Sequence, residues 1–292
     1  MTPSAANTLA VASPMPFPAP VIIATLPFTD LESFLKNFIF KIIELFNYLL
    51  DYRKINYLKG KTMMDQPATL TQEGDVSIIT LDDGKANVFS ANMSSTINRL
   101  LDDVPNDKGS LLITGRPGLF SAGFDLKTIQ GGDPKAAIEM TTAGFKLLSR
   151  IYSFPRPVIA ASSGHAIALG AFVLCCADYR IGAAGNFIVQ ANETRNGMSI
   201  PTPILEISKS RILKNHWYRA ILNAEAYSIA DSIDAGYLDE VVEPEELMTK
   251  SLEVAQDLAT LSHPHYKQTK DLDQKEVLER INSSIDTMSK AS

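Results

Sequence analysis

Two short segments of this 292-residue chain place small residues where backbone amides can do chemistry. One is Leu119-Phe120-Ser121-Ala122-Gly123-Phe124-Asp125-Leu126-Lys127. The other is Gly164-His165-Ala166-Ile167-Ala168-Leu169-Gly170-Ala171-Phe172. Each reads as a turn at which a buried strand gives way to a helix. The first N–H groups of a helix lack intrahelical partners and sit at the positive end of its dipole, so they hold a negative oxygen. Two such groups converging on one atom make an oxyanion hole. Downstream, Asn192-Glu193-Thr194 supplies a single carboxylate in a stretch poor in charge. An oxyanion hole and one base are the minimum needed to form an enolate and quench it.

Strands alternating with helices must position these pieces. Val76–Leu81 reads as a strand, closed by the turn Asp82-Asp83-Gly84-Lys85. Ser90 is placed to cap a helix over 91–101, and Ser110–Thr114 forms a short buried strand. A helix is expected over 135–153, and a strand over 156–161 that is apolar on both faces, as in a covered sheet. A buried helix over 169–177 and a return to the sheet over 178–181 follow. Further helices are expected from about Pro203, Ser228, Glu243 and Gln274. This alternation predicts an α/β fold with right-handed crossovers.

Composition narrows the function classes. Hydrophobic residues make up 45% of the chain, enough for one large domain with appendages. A net charge of −6 and the lack of a basic cluster argue against nucleic acid as a partner. The only cysteines, Cys175 and Cys176, are adjacent and suit buried thiols in a reducing, cytoplasmic setting better than a redox or metal role. The four histidines show no ligand spacing, so no metal is expected.

The chain divides into residues 1–62, a core over 63–262 and a helical region over 263–292. Residues 1–28 contain Pro14, Pro16, Pro18, Pro20 and Pro27, which exclude regular helix. From Asp30 to about Leu58 an apolar stripe suggests an amphipathic helix. Lys36, Lys41 and Glu44 interrupt the stripe, which makes a surface-lying or partner-docking helix a better reading than a membrane span. Two readings stand for this part: a peripheral extension, or a functional chain that begins at Met63 or Met64.

Five pieces in register resemble the enoyl-CoA hydratase/isomerase (crotonase) superfamily over roughly residues 70–270. They are Phe120–Leu126, Pro155–Ala166, Ala177–Arg180, Asn192–Thr194 with Gly197 and Pro201, and Ala230–Val242. The resemblance implies a spiral of ββα units, a C-terminal helical region used in trimerisation, and an acyl-CoA thioester as substrate. It implies a homotrimer or hexamer, and no cofactor, since coenzyme A is part of the substrate. The thioester oxygen would sit between the N–H groups of Phe124 and Leu169. Ala122, Gly123, Asp125, Leu126, Gly170, Phe172 and Asn192 would contact the substrate. The family usually has glycine where this chain has Ala168-Leu169, and leucine narrows the approach to that amide.

Hydratases of this family carry two glutamates. The first would fall at Phe172, which cannot orient water, and the second falls at Glu193. A single glutamate is similar to the Δ3-Δ2-enoyl-CoA isomerases, whose base moves a proton from C2 to C4. Other readings stay open. One is a hydratase that uses Glu193 alone, and another is a protein that binds coenzyme A without turnover. Asp125 fits a helix cap as well as a coenzyme A contact, Asn192 fits either a Glu193 partner or an acyl contact, and Lys85 and Lys127 fit solvated surface better than phosphate contacts. His165 suits a structural hydrogen bond.

Overall fold

The computed structural model describes residues 66–290. The expectations for the Pro-rich start and the amphipathic helix therefore lie outside the described residues. The first strand, β1 (Ala68–Glu73), turns back through Gly74 into β2 (Val76–Leu81). Strand β3 (Val88–Phe89) leads to α1 (Ala91–Asp102), whose first turn is capped by Ser90 accepting the Met93 N–H at 3.2 Å. Next come β4 (Ser110–Gly115), β5 (Gly118–Ser121), β6 (Gly123–Phe124), the short α2 (Leu126–Gln130) and the long α3 (Pro134–Tyr152). Strands β7 (Val158–Ser162) and β8 (Gly164–Ile167) precede α4 (Leu169–Cys176), and β9 (Tyr179–Ala183) and β10 (Ile188–Gln190) precede α5 (Thr202–Lys209). The chain ends with β11 (Tyr227–Ser228), α6 (Asp231–Ala235), β12 (Glu240–Val242), α7 (Leu247–Ala259) and α8 (His263–Lys290).

The strands form a six-stranded sheet in the order β1-β2-β4-β7-β9-β12 and a four-stranded sheet in the order β11-β10-β8-β5. Successive pairs send their first strand to the larger sheet and their second to the smaller: β4 then β5, β7 then β8, β9 then β10. The chain therefore winds as repeated ββα turns, and the neighbouring strands run parallel because each return passes through a crossover.

Alternate residues of the larger sheet fill two cores. Leu111, Ile113, Val158 and Ala160 face the main core with α1, α3 and α4. Leu112, Ile159, Ala161 and Ile181 face the second, closed by Leu247 and Ala255 of α7. Apolar side chains on both faces are what a covered parallel sheet requires. The C-terminal helix is tied to the core by a buried cluster. Asp178 accepts from the Lys270 ammonium at 2.7 Å and from the Tyr266 hydroxyl at 2.8 Å.

Two sequence expectations need correction. Residues 227–228 form a strand and the helix begins at Asp231, because Ser228 sits between β10 and the helix and its hydroxyl accepts the Asp231 N–H at 3.1 Å. The last helix starts at His263, eleven residues before the expected Gln274, since Pro264 is tolerated in a first helical turn. The π-helical turn Tyr218–Leu222 was not foreseen.

Candidate active site

The three segments singled out above follow β5, β8 and β10, which lie side by side in the smaller sheet and run parallel. Their C-terminal ends open on the same side, as at other sites built on parallel strands.

The first segment is pinned from below. The Ser121 hydroxyl, fully buried, donates to the Asn87 carbonyl at 2.7 Å and accepts the Gly123 N–H at 3.1 Å. The Asn87 amide donates to the carbonyls of Leu81 at 2.9 Å and Phe120 at 3.2 Å. Gly123 has φ +89°, and a Cβ there would lie 2.6 Å from the Ala168 Cβ and 3.1 Å from the Leu169 nitrogen. Only glycine lets the two turns come this close. Phe124 follows immediately, so its amide and that of Leu169 belong to backbone stretches in contact.

The second segment turns at Ala168, which has φ +50° and ψ −122° without being glycine. This is a backbone conformation that costs about 1–3 kcal/mol and persists where surroundings enforce it. Ala168 is held by donating to the Gln190 carbonyl at 2.8 Å, and its own carbonyl accepts the Ala171 N–H at 2.9 Å. Leu169 is the first residue of α4, so its N–H is one of those the helix leaves unpaired.

Glu193 stands at the start of the turn Thr194–Asn196, and its carbonyl accepts the Asn196 N–H at 3.0 Å and the Met198 N–H at 2.9 Å. The side chain is 5% exposed, and its Oε2 is buried with no hydrogen-bond partner. Burial penalises the charged form and pushes the carboxyl up to about 7. That value is suited to taking and returning a proton near neutral pH.

A cavity of about 370 Å³ opens over these pieces. Ala122, Phe124 and Leu126 line it from the first segment, Ala168 from the second, and Asn192 and Glu193 from the third. Apolar walls come from Ile138 and Phe145 of α3, Ile204 of α5 and Met288 of α8. Glu193 is the only ionisable residue among those lining it. The Asn192 Oδ1 is also buried without a partner. Sequence reasoning missed the α3 and α8 walls, because Met288 lies 95 residues from Glu193 and carries no local motif.

Other expected contacts fall elsewhere. Phe172 is fully buried and Gly170 buried in α4, and neither lines the cavity. A Cβ on Gly170 would lie 2.7 Å from the Ser121 carbonyl oxygen, so this glycine serves helix–loop packing. Asp125 caps α2, accepting the Lys127 N–H at 3.1 Å and the Thr128 hydroxyl at 3.0 Å. With Lys85 and Lys127 it lines a separate outer cleft of about 710 Å³. His165 accepts the Ile188 N–H at 3.2 Å, a structural bond across β8 and β10. Cys175 and Cys176 are buried free thiols, and burial raises Cys175 to about 11, which makes it unreactive. Among the described residues no helix is long and apolar enough to cross a membrane.

The Enoyl-CoA hydratase/isomerase family matches residues 71–288. Human mitochondrial enoyl-CoA delta isomerase 1 is 28% identical over 193 residues, 64% of each chain. The chain thus spans just under two thirds of the length of that relative. Carnitinyl-CoA dehydratase of Salmonella enteritidis is 29% identical over 67% of this chain and 75% of its own. Among solved structures, a probable enoyl-CoA hydratase of Mycobacterium tuberculosis superposes with a TM-score of 0.74 at 36% identity, covering 77% of this chain and 95% of that one. Human mitochondrial Δ3-Δ2-enoyl-CoA isomerase superposes with a TM-score of 0.70 at 25% identity, over 77% and 93%. With the ββα winding, the paired turns and the matched family spanning most of the chain, this protein belongs to the enoyl-CoA hydratase/isomerase family.

Proposed function

We propose that the protein is an acyl-CoA isomerase that shifts the double bond of a 3-enoyl-CoA to the 2 position. The observation that carries this reading is the solitary carboxylate. Glu193 lines an otherwise unionised cavity, and Phe172, where a second glutamate would stand, is sealed in the core. Water activation by two carboxylates therefore has no second partner, whereas a 1,3-proton transfer needs one base.

The thioester oxygen accepts from the N–H groups of Phe124 and Leu169. Glu193 removes a proton from C2, the electron pair shifts to the oxygen, and the enolate is held by the two amides. Collapse of the enolate moves the double bond to C2–C3 as the protonated Glu193 returns its proton to C4. Apolar walls exclude water from the intermediate. Asn192, with its buried oxygen, orients the glutamate or the acyl chain. Asp125, Lys85 and Lys127 place the coenzyme A portion in the outer cleft. No cofactor takes part. The reducing setting suited to the two thiols is met in the cytoplasm, and a trimer or hexamer is read from the family resemblance.

A second reading, a hydratase working with Glu193 alone, is favoured by one observation. Two structures of the same Mycobacterium tuberculosis protein, at 36% identity each, are described one as a probable hydratase and the other as an isomerase. Product analysis by mass spectrometry with 3-enoyl- and 2-enoyl-CoA, in water labelled with heavy oxygen, separates the two. The isomerase reading expects unlabelled 2-enoyl-CoA from the first substrate. Rapid labelled hydroxyacyl-CoA from the second would replace it with the hydratase reading.

A further inference from the structure

The donors of the oxyanion hole are backbone groups, yet their side chains share a neighbour. Gly144 is buried in the middle of α3, where glycine lowers helix stability relative to alanine. A Cβ at this position would lie 2.4 Å from Cε1 and 2.6 Å from Cζ of Phe124, and 3.2 Å from Cδ2 of Leu169. The tip of the Phe124 ring thus rests against the bare backbone of α3, and its flank meets Phe145 edge-on at 5.6 Å and 85°. Leu169 is fully buried against the same helix. The Leu169 side chain and the Phe124 ring therefore both lie against a helix position that carries no side chain.

We propose that Gly144 is a positioning residue of the oxyanion hole: by carrying no side chain it admits the Phe124 ring and the Leu169 side chain together, and so fixes the spacing of their two N–H groups. The inference rests on the reading of Phe124 and Leu169 as the paired donors. A methyl group at 144 cannot be absorbed without moving the Phe124 ring, because contacts under 3 Å require displacement. Phe124 follows Gly123, where an added Cβ would lie 3.1 Å from the Leu169 nitrogen, and it is through this close approach that displacement of the ring would reach the donor pair.

Acetoacetyl-CoA tests this without turnover. Its enolate absorbs in the near ultraviolet, so the fraction of bound ligand present as enolate reports how well the two amides hold the oxyanion. Deleting one donor costs 10²–10³ in rate, so displacing one is expected to cost about tenfold. Gly144→Ala in the full chain is expected to lower both the bound enolate ratio and kcat for a 3-enoyl-CoA by about that factor. Affinity for free coenzyme A, which has no acyl oxygen, is expected to stay within about threefold. Leucine at 124 has no atoms where the ring tip lies, so in a Phe124→Leu background the same change at 144 is expected to be nearly silent. If Gly144→Ala does not fold, the comparison of Phe124→Leu with Phe124→Leu/Gly144→Ala carries the test, and a tenfold gap between them overturns the proposal. Wild-type enolate formation and kcat in Gly144→Ala overturn it alone. A wild-type protein that neither stabilises the enolate nor isomerises a 3-enoyl-CoA overturns the oxyanion reading as well.

Discussion

The inner cavity and the outer cleft share one wall and differ in almost everything else. Alternate residues of the segment after β5 divide between them: Ala122, Phe124 and Leu126 face the cavity, while Asp125 and Lys127 face the cleft. Gly123–Phe124 is extended and Leu126 opens α2 after its cap Asp125, so six residues spanning a strand end and a helix start build a partition between an apolar chamber and a charged surface. The cavity is lined by one ionisable group, Glu193, whose carboxyl burial pushes up to about 7, whereas the cleft is lined by Asp82, Asp83, Lys85, Asp125 and Lys127. In the proposed function the same residue types do different work on the two sides of the partition. On the inner side one carboxylate is costly to ionise and is the proposed base. On the outer side the proposed role of the five charged residues is recognition of the coenzyme A portion.

If the partition has these two functions, damage to its inner face must cost rate and damage to its outer face must cost affinity. Among changes to the partition itself, the largest effect is expected from Gly123→Val. A side chain there meets Ala168 and the Leu169 nitrogen, in a backbone with φ +89°. Both amides move, so kcat is expected to fall by about 10²–10³ or more, and denaturant titration should show a loss of about 1–3 kcal/mol.

Glu193 links the inner face to stability. Its carboxyl is raised from the ordinary 4.5 to about 7, so between those values the folded state keeps a proton that the unfolded chain has released. The stability contribution is complete at low pH and is lost as pH rises through this window. At about 1.4 kcal/mol per unit the loss amounts to about 3 kcal/mol above neutrality. Glu193→Gln removes the titration, so it is expected to be more stable than wild type by up to about 3 kcal/mol near pH 8 and by little near pH 4. Chemical denaturation at the two pH values checks this.

Activity should show the same group with the opposite sign. The base works ionised, so kcat/KM is expected to fall about tenfold per pH unit below about 7 and level off above it. A profile flat through neutrality would dissociate the buried carboxyl from the chemistry. The smallest effect belongs to the outer face. Lys127→Ala is expected to raise KM for coenzyme A thioesters by about threefold at unchanged kcat, as for a solvated ion pair. A pantetheine thioester, lacking the nucleotide, should not respond.

Much of this was legible in the sequence because it is local. The Ser90 cap, the strands over 76–81 and 110–115 and the helix over 134–152 each carry a contiguous apolar pattern with its own start signal. The turn residues and Glu193 were legible through their order along the chain. What escaped was non-local or weakly patterned. Strand β1, with sequence Ala-Thr-Leu-Thr-Gln-Glu, has little apolar alternation and is made a strand by pairing with β2. The first turns of α8 are polar and open with His-Pro-His, which reads as a loop until the Asp178 cluster holds them. Gly144 carries no signal in isolation, since its role depends on a ring twenty residues away. Phe172 was expected in the substrate site from its place in the pattern, but helix periodicity turns it into the core.

The central claim, that a single buried glutamate carries the proton, is tested most directly by isomerisation of a 3-enoyl-CoA with the Glu193→Gln protein. Glutamine keeps the shape and removes the acceptor, and loss of a general base costs 10²–10⁴ in rate. The account predicts a fall in kcat of about that size with coenzyme A affinity little changed. A Glu193→Gln protein that isomerises at the wild-type rate would contradict it.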